Sequence, residues 1–148
     1  MTEQLYFEDF QVGQRFKSAS RTLTDSHFVL FSAITGDNHP IHYDDEYCKQ
    51  TIFGKRVAHG FLVTSMTALG ASTLSPLVEE SMLAFLEQSS RFLKPVLVGD
   101  TVRPEMEVAE LIPRGRNGVV RFRTTLRNQR DEVVMEGSQA MLLKRRPD

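Results

Sequence analysis

Apolar and polar residues alternate with a period of two through much of the second half of the chain, the pattern of strands with one buried face. Met82 to Phe92 reads as one strand. Val102, Met106, Val108 and Ile112 alternate with Thr101, Glu105, Glu107 and Ala109 as a second, in which Pro104 predicts an edge or a bulge. Val120, Phe122, Thr124 and Leu126 alternate with Arg121, Arg123, Thr125 and Arg127 as a third. Val133, Met135, Gln139, Met141 and Leu143 mark the last. Asn117-Gly118 is the strongest turn signal, and Asn128-Gln129-Arg130-Asp131 predicts a further hairpin. The tail, Lys144 to Asp148, is expected to fray.

The first half has another rhythm. A lead-in strand around Phe10, Val12 and Phe16 precedes a helix that Thr24 caps and Asp25 favours through the dipole. Phe28, Phe31 and Ile34 form its apolar stripe, and Gly36 stops it. After a polar segment, Gly60 opens a second helix carrying Leu62, Met66 and Leu69, with small residues at Ala68, Gly70, Ala71 and Ser72 and a stop at Pro76. Small residues let a helix axis come close to whatever it packs on. The order of elements predicts one α+β domain over residues 1–148, with helix packed on one face of an antiparallel sheet.

Composition narrows the function classes. The 148 residues are 41% hydrophobic and carry 18 basic against 19 acidic side chains. That balance suits a folded core and opposes both disorder and an electrostatic nucleic-acid binder. One cysteine, Cys48, cannot close an intrachain disulfide and reads as a small buried hydrophobe. No signal peptide is visible. Residues 60–78 lack charge, but their six hydroxyl side chains, two glycines and Pro76 argue against a membrane span. The expectation is a soluble, cytoplasmic protein.

Two constellations carry candidate chemistry. The first is Asp37, His39, His42, Asp44 and Asp45, where Gly36 and Pro40 stiffen the backbone. A turn can aim Asp37 and His42 at one point, where they could hold a water and pass protons, or they are solvated loop residues. His39 and His42 have a His-x-x-His spacing, but Pro40 between them breaks the helical geometry a metal site would use. The second is Val57-Ala58-His59-Gly60-Phe61, where Gly60 can present a free N–H at a helix start, or simply begin a helix.

Together, Gly36-Asp37-Asn38-His39-Pro40-Ile41-His42 and Ala58-His59-Gly60-Phe61, followed by a helix of small residues, resemble the MaoC-like dehydratase family, which includes (R)-specific enoyl-CoA hydratases. Phe92-Leu93-Lys94-Pro95-Val96-Leu97-Val98-Gly99-Asp100-Thr101-Val102 resembles the same family. The family motif commonly reads Gly-Asp-x-Asn-Pro; here His39 stands in the Asn place, and Ala68 where some members have a serine.

The resemblance implies a hotdog fold, in which an antiparallel sheet wraps a long central helix and two or more copies associate. It implies Asp37 and His42 as the catalytic pair for adding water to, or removing it from, a 2-enoyl thioester of CoA or acyl-carrier protein. The Gly60 N–H would hold the thioester carbonyl, with His39 and His59 in support and neither metal nor cofactor required. Two alternatives stand beside this reading: a hotdog acyl-CoA thioesterase and a non-catalytic acyl-thioester-binding protein.

Overall fold

A computed structural model of the chain describes residues 3–147. Its strands are β1 (Arg15–Lys17), β2 (Arg21–Thr22), β3 (Met82–Phe92), β4 (Thr101–Arg114), β5 (Asn117–Arg127) and β6 (Val133–Lys144). Its helices are α1 (Asp25–Thr35), α2 (Asp45–Lys49) and α3 (Gly60–Ser65). All strand pairs are antiparallel, in the order β1-β4-β5-β6-β3, with β2 also pairing β4. The predicted α+β architecture is therefore present. On β5 the alternation is realised residue for residue, since Val120, Phe122, Thr124 and Leu126 are all fully buried.

Two apolar clusters fill the sheet's inner face. One joins Phe7, Phe10, Phe16, Leu74 and Val78 to Met106, Phe122 and Met141. The other joins Phe28 of α1 and Leu62 and Val63 of α3 to Val102, Leu126 and Met135. Along β5 and β6 the polar residues Thr124 and Gln139 mark the boundary between them. Gln139 donates to the Thr67 carbonyl and hydroxyl, both at 3.0 Å.

The predicted second helix is much shorter than expected. Regular helix ends at Ser65, and 3₁₀ turns at Leu69–Ala71 and Ser75–Leu77 follow. The hydroxyls explain the break. Ser65 donates to the Leu62 carbonyl at 2.6 Å, Thr67 to that of Thr64 at 2.7 Å, and Ser72 to that of Leu69 at 2.7 Å. Each bond ties a side chain to a carbonyl three residues back and favours a tight turn over continued helix. Gly70 lies in one such turn with no neighbour crowding its missing Cβ, so no close packing requires it.

Four further expectations are corrected. Ile34 is 83% exposed, and the third inward position of α1 is Ser32, four residues after Phe28, as a 3.6-residue period demands. The turn before β5 is Gly115-Arg116, with Gly115 at φ +59°, because Arg114 already pairs with Asn117. Gly118 instead sits within the strand, where the Phe7 ring occupies the place of a Cβ. Pro104 is on no edge: β5 pairs with one side of it and the Ser18 N–H donates to its carbonyl on the other. In an antiparallel strand the N and the C=O of one residue face the same neighbour. The proline's missing N–H thus falls at the break between β1 and β2 and costs the β5 ladder nothing. Finally, the tail is tied down as far as Arg146, whose guanidinium grips the Asp9 carboxylate at 2.7 Å. Met1, Thr2 and Asp148 lie outside the described residues.

Gly118→Ala places a methyl group 2.1 Å from a Phe7 ring carbon. It is expected to destabilise the fold by about 1–3 kcal/mol, read as a lower urea midpoint at unchanged slope. Glu132 is held at about 2, from an ordinary 4.5, by hydrogen bonds from Asn128, Lys94 and Arg130. Those contacts stabilise the folded chain above pH 4.5 and fade as the pH falls toward 2. An NMR titration of the Glu132 carboxyl should give a midpoint near 2 rather than 4.5.

Candidate active site

The site grows out of the connection between α1 and α2. Gly36 ends α1 in the left-handed conformation at φ +76°, and its N–H donates to the Ser32 carbonyl at 2.8 Å. A 3₁₀ turn, Pro40–His42, follows with the proline at its start. His39 caps that turn, its Nδ1 accepting from the Ile41 N–H at 3.2 Å. The imidazole thus performs the short-range capping task that suits asparagine at such a position. Asp44 caps α2 by accepting from the Tyr47 N–H at 2.9 Å. Asp45 and Asp25 both pair with Arg56, joining the starts of the two helices. Neither Asp44 nor Asp45 takes part in the Asp37–His42 cluster. Cys48 is fully buried, as its residue type led one to expect, and that burial raises its thiol pKa.

His42 is buried, and its Nδ1 lies 2.6 Å from the Val57 carbonyl. A carbonyl only accepts, so Nδ1 carries a hydrogen, and in the neutral ring Nε2 presents its lone pair. That Nε2 faces the Asp37 carboxylate at 3.9 Å, a gap too wide for a direct hydrogen bond and suited to a shared small molecule. The Asp37 side chain itself is half exposed. Its backbone is not free, however. The Asp37 carbonyl accepts from Ser32 Oγ at 2.6 Å and from the Tyr43 hydroxyl at 2.8 Å, and His59 Nε2 approaches it at 3.3 Å.

His59 immediately precedes α3 and is buried to 2% exposure. Its ring stacks on His42 with centroids 3.7 Å apart and planes 20° from parallel. Burial above all, and His42 after it, pushes its pKa below the ordinary imidazole value. Asp37, His42 and His59 offer ligand atoms within 4.8 Å of one another. Stacked rings, though, hold their lone pairs in two nearly parallel planes 3.7 Å apart at the centroids, whereas a shared metal must lie close to both planes.

Gly60 takes the first position of α3, where a backbone N–H has no acceptor inside the helix. With Asp37 it lines a cleft of about 320 Å³, together with Phe61, Thr64, Gln88, Ser90 and Phe92. The two constellations read from the sequence therefore meet at one opening. A neighbouring cleft of about 290 Å³ shares Gly60 and Phe92 and is otherwise mostly apolar.

The sequence profile of the MaoC like domain matches residues 9–129. The chain belongs to the MaoC-like dehydratase family. The architecture of this MaoC-like chain is the hotdog fold. It is 35% identical over 133 residues to a protein from Methylorubrum extorquens named 3-hydroxybutyryl-CoA dehydratase, covering 90% of this chain and 80% of that one. It is 33% identical over 141 residues to a Rhodospirillum rubrum protein named (R)-specific enoyl-CoA hydratase, covering 95% and 93%. A solved Archaeoglobus structure described as a monoamine oxidase regulatory protein superposes with a TM-score of 0.91 at 34% identity, covering 99% of this chain and 98% of that one.

Ser32 and Tyr43 went unnoticed in the sequence. Ser32 could have been found as the single hydroxyl four residues after Phe28 on the buried face of α1; Tyr43 carries no such mark. Burial, then the charge of Asp37, raises the pKa of Tyr43, which keeps its hydroxyl a donor. Ser32→Ala removes the shortest bond to the Asp37 carbonyl and is expected to cost about 0.5–1.5 kcal/mol in chemical denaturation.

Proposed function

We propose that this protein is an (R)-specific hydratase or dehydratase acting on 2-enoyl thioesters of CoA or acyl-carrier protein. The observation that carries this reading is that His42 Nε2 faces, across 3.9 Å, the carboxylate of Asp37, which lines one cleft together with Gly60. The names of the Methylorubrum and Rhodospirillum relatives support the same chemistry. Water hydrogen-bonded to Asp37 gives one proton to His42 Nε2 as its oxygen bonds to C3 of the enoyl group. The electron pair of the C2–C3 double bond moves onto the thioester carbonyl as an enolate, which accepts a hydrogen bond from the Gly60 N–H. His42 then returns the proton to C2, and dehydration runs the same steps backwards.

Each part has a recognised magnitude. A donor aimed at a developing oxyanion is worth about 3 kcal/mol, and a positioned acid or base about 10²–10⁴-fold. Because α3 is short, Gly60 acts through its own N–H and not through a long helix dipole. No metal is needed for these steps, since both proton transfers belong to His42. His39 contributes by capping the turn that carries His42. We also propose that two copies associate, since β3 ends the sheet with Leu83, Phe85 and Leu86 exposed.

Crotonyl-CoA hydration, followed as loss of enoyl absorbance, is expected for the intact chain. Asp37→Asn and His42→Ala should each lower kcat by about 10²–10⁴-fold while leaving the thermal midpoint near that of the parent. Full activity in both variants would remove the pair from the mechanism. Free thiol released from acyl-CoA would identify a thioesterase, and thioester binding without turnover a non-catalytic binding protein.

A further inference from the structure

We infer that His59 is a positioning residue of this site: a neutral Nε2–H imidazole that clamps the Asp37 backbone and supports the face of His42. The hydrogen-bond pattern decides the tautomer. Ser32 and Tyr43 each have one hydroxyl hydrogen, and for both the shorter contact is with the Asp37 carbonyl, at 2.6 and 2.8 Å, an oxygen that can only accept. Their oxygens therefore turn lone pairs toward His59 Nε2, at 3.2 and 3.1 Å, and the Asp37 carbonyl adds a third acceptor at 3.3 Å. A ring nitrogen surrounded by three oxygens that have only lone pairs to offer must carry the hydrogen.

The other nitrogen, Nδ1, is then a bare lone pair. It is buried and has no hydrogen-bond partner among the described residues. Protonating His59 would place an N–H at that dry position and a charge directly over His42. The titratable groups facing His59 are Asp37, His42 and Tyr43; α1 presents only Ser32 and the rings of Phe28 and Phe31. Burial and His42 act against charging, and Asp37 favours it less strongly.

This geometry divides labour between two stacked histidines. His42 turns Nε2 toward the Asp37 carboxylate, whereas His59 has its Nδ1 lone pair buried away from it. When His42 becomes an imidazolium, the neutral ring 3.7 Å away meets it with a π face instead of a second charge. His59 also links three separate segments, because Ser32 comes from α1, Asp37 from the loop and Tyr43 from the end of the 3₁₀ turn.

The inference rests on the proposed hydration chemistry for one of its two tests, and the other stands alone. Imidazole ¹⁵N NMR of the intact chain at about pH 7.5, above the ordinary imidazole pKa, should show His59 neutral, with Nε2 protonated and Nδ1 bare. A charged His59, or hydrogen on Nδ1, overturns the inference whatever the enzyme does. In kinetics, His59→Phe keeps a ring face but loses the clamp, and His59→Gln keeps a donor but loses the face. Each should lower kcat about 100-fold with KM little changed, as expected when reacting groups are misplaced by a fraction of an ångström. Parent-like kcat in both variants also overturns it. Should the parent chain hydrate no enoyl thioester, the functional reading fails while the NMR result still decides the role of His59. The same spectra settle the matter if the variants do not fold.

Discussion

A single main-chain oxygen, the carbonyl of Asp37, organises the candidate site. Three side chains from three stretches of sequence converge on it: Ser32, Tyr43 and His59. Asp37 itself sits in a loop with an exposed carboxylate, so its side chain gains little from packing. Fixing the backbone instead lets the carboxylate stay accessible while its origin is anchored. A half-exposed acid on a free loop would sample many positions; here the sampling is limited to its own rotamers.

The same economy governs His42. One nitrogen is committed to the Val57 carbonyl, which sets the tautomer, and the ring face is committed to His59. Only Nε2 is left for chemistry. The Val57 segment is in turn held by its own backbone bonds, its N–H donating to the Ile41 carbonyl at 3.1 Å and the Ala58 N–H to that of Val96 at 2.8 Å. The stretch before α3 therefore braces the loop before α2, and Gly60, three residues after Val57, inherits that placement.

Much of this was legible in the sequence, for physical reasons that differ by element. The long strands announce themselves because one face is buried along their whole length, so the period-two pattern is repeated many times. Asp37, His42 and Gly60 were legible because they stand in short motifs of particular residue types at fixed spacing that resemble those of the MaoC-like family. The length of α3 was hidden, since hydroxyl bonds to nearby carbonyls leave apolar spacing untouched while ending the helix. The turn at Gly115-Arg116 was masked by a more conventional signal two residues later. Gly118 answers to Phe7, more than a hundred residues away, and no local pattern encodes such a contact. Ser32 and Tyr43 were missed likewise: their meeting at Asp37 exists only after the chain has folded.

The polar boundary formed by Thr124 and Gln139 gives the interior two compartments with separate duties. The compartment containing Phe28, Leu62 and Val63 carries the scaffold on which the candidate site is built. The one built on Phe7, Phe10 and Phe122 closes the N-terminal segment against the sheet. Free-energy changes at sites that share no contacts add nearly independently. The second compartment is therefore where the fold can be hardened, or allowed to drift over evolutionary time, without retuning the reactive geometry of the first.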